Sequence, residues 1–384
     1  MIYLDNAATT QMDPLVLDEM MPFLTTAYGN PGSIHKMGRF ALSEIDKARE
    51  RVADLISAKP NQIIFTSGGT ESNNIVISNV CKLLSIKNKT HVITTEIEHD
   101  SILKPIKKEC VKRGFDIAFL RPNKYGSIEF NTFEDTVDIN TGFVSVMTVN
   151  NETGADNPVK EIGLYCAAKG IPFHTDCVQA AGTMKLDVNE INCDFLSLSS
   201  HKIHGPKGIG ALFVKDINLI DPIIIGGAEQ EFGKRGGTEN VAGIVGFGKA
   251  CEITKDSLAS DLNNIAAAKQ QFYRIIKELL GETVTLNGQN VTHPGKILNL
   301  KIDGIHAETL VLLLGNMDVC VSAGSACRSK ESEPSHVLVA MGMSDDDARQ
   351  SVRVSFSRMN SVTEVEEAAK KFAECVNALR GYSI

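Results

Sequence analysis

The sequence predicts an α/β protein in which helices cover a mostly parallel β-sheet, followed by a smaller α+β region. From about residue 40 to residue 250, segments with the period of amphipathic helices alternate with short apolar runs, an order typical of parallel sheets. After about residue 255 the helical patterns become longer, with strands between them. We therefore expect a large domain over 13–255 and a small domain formed by 1–12 and 256–384.

The individual elements follow from local patterns. A first helix is predicted between residues 41 and 56, where apolar side chains recur at helical spacing at Ile45, Ala48, Val52 and Leu55. Buried strands are predicted at 63–68, 91–95, 143–149, 171–176 and 194–199, and later at 295–301, 319–323 and 353–357. Further helices are predicted from about residue 71, at 261–280, near 333–341 and at 361–379.

Composition narrows the classes of protein that the chain can represent. The net charge of -8 argues against direct nucleic-acid binding, and the chain has no apolar run long enough to span a membrane. Its first residues have neither the basic nor the apolar part of a signal peptide. The nine cysteines include no C-x-x-C pair, which favours a reducing compartment. We expect a cytoplasmic protein with no contact to membranes or nucleic acid.

A glycine-rich turn, FTSGGTES (65–72), separates a predicted strand from a predicted helix. Glycines let the backbone approach an anion closely, and the first N–H groups of the helix point at it. The Thr70 hydroxyl can add another donor. An ordinary turn with Thr70 as helix cap would give the same pattern, so the motif alone leaves both interpretations open.

Two further strand ends carry residues suited to catalysis. Lys202 follows one strand and is a candidate for forming a Schiff base, although a solvated loop lysine is the commoner case. Asp176 ends another strand, where a buried carboxylate can pair with the pyridinium nitrogen of pyridoxal 5'-phosphate (PLP) or cap the next helix. The histidines in HKIH (201–204) have no carboxylate or cysteine at ligand spacing, so we predict no metal site.

Taken together, ten motifs in order resemble the NifS/IscS-like cysteine desulfurases, which are fold-type I PLP enzymes of the class V aminotransferase family. The first five are YLDNAATT (3–10), YGNPGSIH (28–35), FTSGGTESNN (65–74), TTEIEH (94–99) and VNNETG (149–154). The others are HTDCVQ (174–179), SLSSHKIHGPKG (197–208), KRGGTEN (234–240), SAGSACRS (322–329) and SVRVSFSR (351–358). Each motif is weak alone, but the ordered set is specific.

The resemblance implies PLP as the cofactor and gives roles to the residues around it. Lys202 is expected to bind PLP covalently, Asp176 to pair with the ring nitrogen and Gln179 to contact the ring hydroxyl. His99 is expected to stack on the ring and transfer protons, for which an imidazole is suited. The phosphate is expected to be held by Gly69, Thr70, Ser199 and His201.

The resemblance also implies a substrate site and a dimer. Arg353 is expected to bind the substrate carboxylate through its planar guanidinium, with help from Asn30, and Asn151 to lie near both ring and substrate. Thr238 is expected to reach the phosphate in the partner subunit, which implies an obligate homodimer with composite sites.

Cys327 is the expected nucleophile. It follows small residues and a glycine, a composition that suggests an exposed, mobile loop over about 322–336, and Arg328 beside it can favour the thiolate. The implied reaction converts L-cysteine to L-alanine, holds sulfur as a persulfide on Cys327 and passes it to an acceptor protein. Iron–sulfur assembly, tRNA thiolation and DNA phosphorothioation are the candidate pathways, and the C-terminal tail favours a dedicated one. Selenocysteine lyase or another class V PLP enzyme, and a non-enzymatic scaffold, are the alternatives.

Two places depart from the family pattern. In GGAEQEFG (226–233), Ala228, Glu229 and Phe232 replace the residues expected in a glycine-rich run, so the entrance near the dimer partner is expected to differ. Arg328 stands where many members have threonine, which bears on loop ordering and on the choice of partner.

Overall fold

The computed structural model describes residues 1–227, 230–290, 293–324 and 333–381. Its strands are β1 (Ile2–Tyr3), β2 (Ile63–Thr66), β3 (His91–Thr95), β4 (Asp116–Leu120), β5 (Thr141–Ser145), β6 (Phe173–Asp176), β7 (Phe195–Ser199), β8 (Gly210–Val214), β9 (Val284–Asn287), β10 (Ile297–Ile302), β11 (Val319–Cys320) and β12 (Ser351–Ser355). Its helices are α1 (Pro14–Thr25), α2 (Lys36–Leu55), α3 (Gly69–Lys87), α4 (Asp100–Arg113), α5 (Phe130–Thr136), α6 (Val159–Lys169), α7 (Val188–Ile191), α8 (Val241–Leu280), α9 (Ala307–Asn316), α10 (His336–Ala340), α11 (Asp345–Arg349) and α12 (Val362–Gly381).

A seven-stranded sheet forms the centre of the molecule, in the order β2-β8-β7-β6-β5-β3-β4. The pairs β4–β3, β3–β5, β5–β6 and β6–β7 are parallel. Strand β8, which the sequence did not predict, pairs antiparallel with both β7 and β2. The prediction of a mostly parallel sheet covered by helices is therefore confirmed.

In helix α2, most of the apolar positions predicted from the sequence are buried in the structure. Ile45, Ala48 and Val52 are buried, as their helical spacing predicts. Leu55, the last predicted position, is only half-buried because the helix ends there. The period of the apolar side chains therefore fixes which face of this helix joins the core.

The C-terminal region contains an antiparallel sheet in the order β12-β10-β9 and a parallel pair of β1 with β11. Helix α8 is longer than the predicted 261–280 because its glycine-containing first half gains packing: Gly246 lies against Met20 and Gly248 against Ala48. Its first half joins the core of the large sheet and its second half joins the C-terminal core. The domain boundary near residue 255, which falls inside this helix, stays a prediction.

The carboxyl ends of β2, β6 and β7 lie at one edge of the large sheet, where open α/β sheets bind ligands. The N-terminal segment crosses this edge, because the Thr10 N–H donates to the His201 carbonyl at 2.9 Å. The same segment reaches the C-terminal sheet, where the Ser355 N–H donates to the Leu4 carbonyl at 2.7 Å. Across the described residues, each helix is too short or too polar to span a bilayer.

Candidate active site

A cavity of about 290 Å³ opens at this edge of the sheet. It is lined by residues from sequence segments that are far apart, and most of the predicted site residues are among them. The predicted residues that the structure brings together here are Gly69, Thr70, His99, Asn151, Asp176, Gln179, Ser199, His201, Lys202 and Arg353.

The turn between β2 and α3 forms the anion-binding end of the cavity. Gly68 caps α3 with φ of 147°, and it provides no side chain to satisfy the first N–H groups of the helix. A Cβ on Gly69 would lie 2.7 Å from Val178 Cγ2, so only glycine fits at this position. Thr70 and Ser199 add hydroxyl groups to the cavity wall. Together these groups form a cradle of donors suited to a phosphate.

Asp176 lies at the end of β6 and is 5 % exposed. Its Oδ2 accepts from Asn73 Nδ2 at 2.8 Å, and its Oδ1 accepts from the Val178 N–H at 2.9 Å. These neutral donors fix the carboxylate in place without adding a cation. A positively charged nitrogen in the cavity could therefore pair with Asp176.

His99 and Gln179 line the same cavity as this carboxylate. His99 caps α4: its Nδ1 accepts from the Ser101 N–H at 3.1 Å and lies 2.8 Å from Ser101 Oγ. Gln179 Nε2 donates to the Ala7 carbonyl at 2.8 Å. Among the described residues, Gln179 Oε1 is buried with no hydrogen-bond partner, so it can accept from a ligand.

Lys202 ends the 3₁₀ turn Ser200–Lys202 that follows β7. Its Nζ donates to the carbonyls of Ala7 and Ala8, each at 2.7 Å, so the N-terminal segment positions the amine. Burial, followed by the charge of Lys202, lowers the pKa of His201 to about 4. Behind this turn, Lys296 Nζ donates to the Lys202 carbonyl at 3.2 Å, and burial lowers the pKa of Lys296 to about 7.

Arg353 also lines the cavity and is 2 % exposed. Its Nη1 donates to the Asn151 carbonyl at 2.9 Å, and its Nη2 pairs with Asp5 Oδ1 at 2.8 Å. Within the described part of the chain, its Nε is buried without a partner. The guanidinium is therefore held in one plane by two groups from distant segments, as a carboxylate-binding arginine requires.

These groups fit PLP. The cavity places phosphate donors at the end of α3, a buried carboxylate that lacks a cationic partner among the described residues, and an amine that can form a Schiff base. The unpartnered Gln179 Oε1 provides an acceptor for a ring hydroxyl. The donor set matches a phosphorylated aromatic aldehyde with a basic ring nitrogen.

Two predicted residues lie outside the cavity, and a third falls outside the described residues. Asn30 is exposed, its Oδ1 accepts from the Gly32 N–H at 2.9 Å, and it does not line the cavity. Thr238 is also exposed and outside this cavity. Cys327 lies outside the described residues, as do most of its predicted loop and the departures at Ala228, Glu229 and Arg328. The roles predicted for these residues stay predictions.

Sequence reasoning missed several residues that shape the cavity. Asn73 belongs to the FTSGGTESNN motif but was given no role, and it holds Asp176. Ala7 and Ala8 act only through their carbonyls, which no side-chain pattern reveals. Glu152 belongs to the VNNETG motif, lines the cavity and is fully buried. The sequence could have indicated Glu152, because this acidic residue directly follows Asn151, which was predicted to lie near the substrate.

Glu98 lies just below the cavity wall, one residue before His99. Its Oε1 accepts from Thr95 Oγ1 at 2.9 Å and from the Met147 N–H at 2.8 Å. Burial raises the pKa of Glu98 to about 8; the charge of Asp176 adds to this rise and the Met147 hydrogen bond opposes it. The carboxyl group is therefore largely protonated at neutral pH, so it does not compete with Asp176 for a cation.

Comparison with known proteins gives a consistent result. The family model for class-V aminotransferases matches residues 2–368. A mitochondrial cysteine desulfurase of Arthroderma benhamiae is 42% identical over 387 residues, which cover 100% of this chain and 76% of the relative. A NifS-like protein of known structure superimposes with a TM-score of 0.90 at 32% identity, covering 98% of this chain and 99% of that one. A structure of SspA in complex with cysteine gives a TM-score of 0.81 at 33% identity, covering 94% and 100%.

The fold, the cavity and these matches define a PLP-dependent enzyme of fold type I. The chain belongs to the class-V aminotransferase family and, within it, to the cysteine desulfurases. The resemblance inferred from the ordered motifs is thereby confirmed.

Proposed function

We propose that this chain converts L-cysteine to L-alanine and holds the sulfur removed as a persulfide on Cys327. The observation that carries the proposal is the arrangement of one cavity, in which the Lys202 amine, the buried Asp176 carboxylate and the Arg353 guanidinium face a common space. An amino acid needs an amine-reactive centre and a carboxylate-binding cation, and this cavity offers both. The relative whose structure contains cysteine supports this substrate.

The part of the cavity lined by Asp176, Lys202 and His99, here called the cofactor end, provides a fixed negative charge and groups that can transfer protons. When bound, PLP supplies an electron sink for the carbon that carries the substrate amine. Asp176 would pair with the ring nitrogen and favour its protonated form, and Asn73 and the Val178 N–H hold the carboxylate in position. Lys202 would hold the cofactor and could accept the substrate's Cα proton, and the His99 imidazole in the same cavity wall could serve as a second proton carrier.

The part of the cavity lined by Arg353 and Asn151, here called the substrate end, orients the amino acid. Arg353 binds the α-carboxylate, because two fixed acceptors hold its guanidinium in plane. The backbone carbonyl of Asn151 accepts a hydrogen bond from that arginine and so fixes its position in the cavity wall. The substrate is thereby fixed at its carboxylate and amine, and its side chain is left as the variable part.

The sulfur step falls to Cys327. Its thiolate attacks the substrate sulfur, so an S–S bond forms while the Cβ–S bond of the substrate breaks. The electron pair remains with the carbon, which is protonated to give alanine. Cys327 then carries a persulfide, and its outer sulfur passes to a thiol of an acceptor protein.

We also propose that the enzyme is a homodimer in which Thr238 completes the partner's phosphate site. Apolar side chains cluster in the exposed segment before Thr238, where Ile223, Ile224, Ile225 and Phe232 are each at least 40% exposed. Burial between two copies would remove this surface from water. The molar mass in solution, measured by light scattering, tests the dimer directly.

The acceptor and the location remain predictions of this proposal. Iron–sulfur assembly, tRNA thiolation and DNA phosphorothioation all need a persulfide donor of this kind. The prediction of a cytoplasmic enzyme also remains, although the fungal relative is named as mitochondrial.

The test is to incubate the purified holoenzyme with L-cysteine and quantify alanine and sulfide. We expect alanine from the wild-type protein, none from Lys202→Ala, and retention of PLP absorbance without turnover in Cys327→Ser. Cys320→Ser is the matched control, since Cys320 is a half-buried thiol outside the cavity lining. Alanine from Cys327→Ser at the wild-type rate would refute the nucleophile. Bound PLP with turnover of selenocysteine or cysteine sulfinate alone would favour the alternative reading.

A further inference from the structure

The substrate end of the cavity contains a carboxyl group with no role in the reaction described above. Glu152 is fully buried, and it lines the cavity next to Asn151, whose carbonyl holds Arg353. Its Oε2 accepts from Ser335 Oγ at 2.5 Å. Its Oε1 is buried and has no hydrogen-bond partner among the described residues.

An unpartnered acidic oxygen in such a place is costly for the fold. Carboxylates are almost never fully buried unless they are paired, and leaving one oxygen desolvated without a donor destabilises the protein. Within the described part of the chain, Glu152 forms no ion pair. A group that weakens the fold and belongs to the wall of a binding cavity is best explained by a ligand that it contacts or repels.

Glu152 directly follows Asn151, whose carbonyl binds Arg353, and this connection indicates which part of a ligand Glu152 meets. Arg353 binds the α-carboxylate under the proposed function, and Lys202 marks the position of the amine. The substrate's remaining group is its side chain, and Glu152 is the cavity-lining acid adjacent to the arginine's anchor. A carboxylate there can accept a hydrogen bond from a neutral thiol or selenol, and it repels an anionic side chain.

We propose that Glu152 is a specificity-determining residue that selects amino acids with a neutral S–H or Se–H group and excludes those with a sulfinate or carboxylate side chain. This inference deepens the proposed function and rests on it. It predicts that the enzyme acts on cysteine or selenocysteine and rejects cysteine sulfinate and aspartate. No bond is made or broken by Glu152; it acts on which substrate is bound.

The matching amide, Glu152→Gln, isolates the charge. Glutamine has nearly the same shape and keeps an oxygen that can accept from Ser335 Oγ, so the cavity should retain its form. L-aspartate and L-alanine serve as probes, since they share the α-carboxylate and amine and differ in side-chain charge. We expect the ratio of their dissociation constants, measured by calorimetry on the holoenzyme, to shift toward aspartate by at least about tenfold. Turnover of cysteine sulfinate should rise relative to cysteine.

Two further variants make the outcome decisive. Ser335→Ala removes the hydrogen bond to Oε2 and leaves the charge, so discrimination should persist. Glu98→Gln removes a buried carboxyl that does not line the cavity, so it should leave the ratio unchanged. An unchanged ratio in Glu152→Gln, or the same shift in Ser335→Ala, would overturn the proposal. If the wild-type protein makes no alanine from cysteine, the proposed function itself fails, which is a separate result.

Discussion

The two ends of the cavity are built in different ways. At the cofactor end, Asp176, Ser199 and Lys202 follow directly from strand ends of one sheet, and Asp176 is held by neutral amide donors. At the substrate end, Arg353 is held by Asp5 and by Asn151, residues that are brought together only by the complete fold. The comparison suggests that the first end controls electrons and protons, while the second controls which molecule is bound.

The largest effect is expected at the cofactor end, from Asp176→Asn. Asparagine can still accept from the Val178 N–H, and Asn73 can turn its amide to accept from the new NH₂, so the variant should fold. The charge that, under the proposed function, would keep a proton on the ring nitrogen of PLP is lost. Because a charged hydrogen bond contributes about 1.5–3 kcal/mol, we expect kcat to fall by about tenfold to a hundredfold, with little change in KM.

Steady-state kinetics at equal PLP occupancy, verified by absorbance, measure this effect. Asn79→Ala provides a control on α3, the helix that carries Asn73, because Asn79 Nδ2 donates to the carbonyls of Ile75 and Asp221, outside the cavity. A raised KM for cysteine with a normal kcat would contradict the assignment of a catalytic role to the cofactor end of the cavity.

A smaller effect of a different kind is expected at the substrate end, from Arg353→Lys. A single ammonium cannot hold both the Asn151 carbonyl and Asp5 and still present a fork to a carboxylate. We expect KM for cysteine to rise by about tenfold with kcat nearly unchanged. Asp5→Asn keeps an acceptor oxygen and should raise KM less.

Asp13→Asn is the matched control for Asp5, since Asp13 pairs with Arg358 at 2.5 Å and neither residue lines the cavity. If Arg353→Lys lowered kcat and left KM unchanged, Arg353 would act in catalysis. The assignment of substrate binding to this end of the cavity would then be wrong.

The sequence could predict one end of the cavity better than the other for a physical reason. A strand that ends in a polar residue places that residue at the ligand edge of a parallel sheet, so Asp176 and Lys202 were accessible to local reasoning. The partners of Arg353 depend on contacts between the N-terminal segment, residue 151 and β12, which no local pattern encodes. The same limit applies to the antiparallel strand β8 and to the first half of α8, whose glycines gain stability only from neighbouring helices.

The smallest effect on turnover is expected at Glu98, a buried residue that does not line the cavity. Because the pKa of this carboxyl is raised to about 8, the folded state keeps a proton that the unfolded state releases near pH 4.5. Between these values the folded protein binds more protons, so its stability should fall as pH rises, by at least about 1 kcal/mol. Glu98→Gln keeps an acceptor oxygen for Thr95 and Met147 and should remove that slope while changing kcat by less than about twofold.

Guanidinium unfolding of the holoenzyme at pH 5.5 and 8.5 measures the slope. Glu71→Gln is the control: burial opposes ionisation of Glu71, but hydrogen bonds from Ser67 and Arg235 outweigh it and lower its pKa, so it titrates below this window. A slope that survives in Glu98→Gln would show that another group carries the proton. A large loss of kcat would instead show that Glu98 takes part in catalysis, although it does not line the cavity.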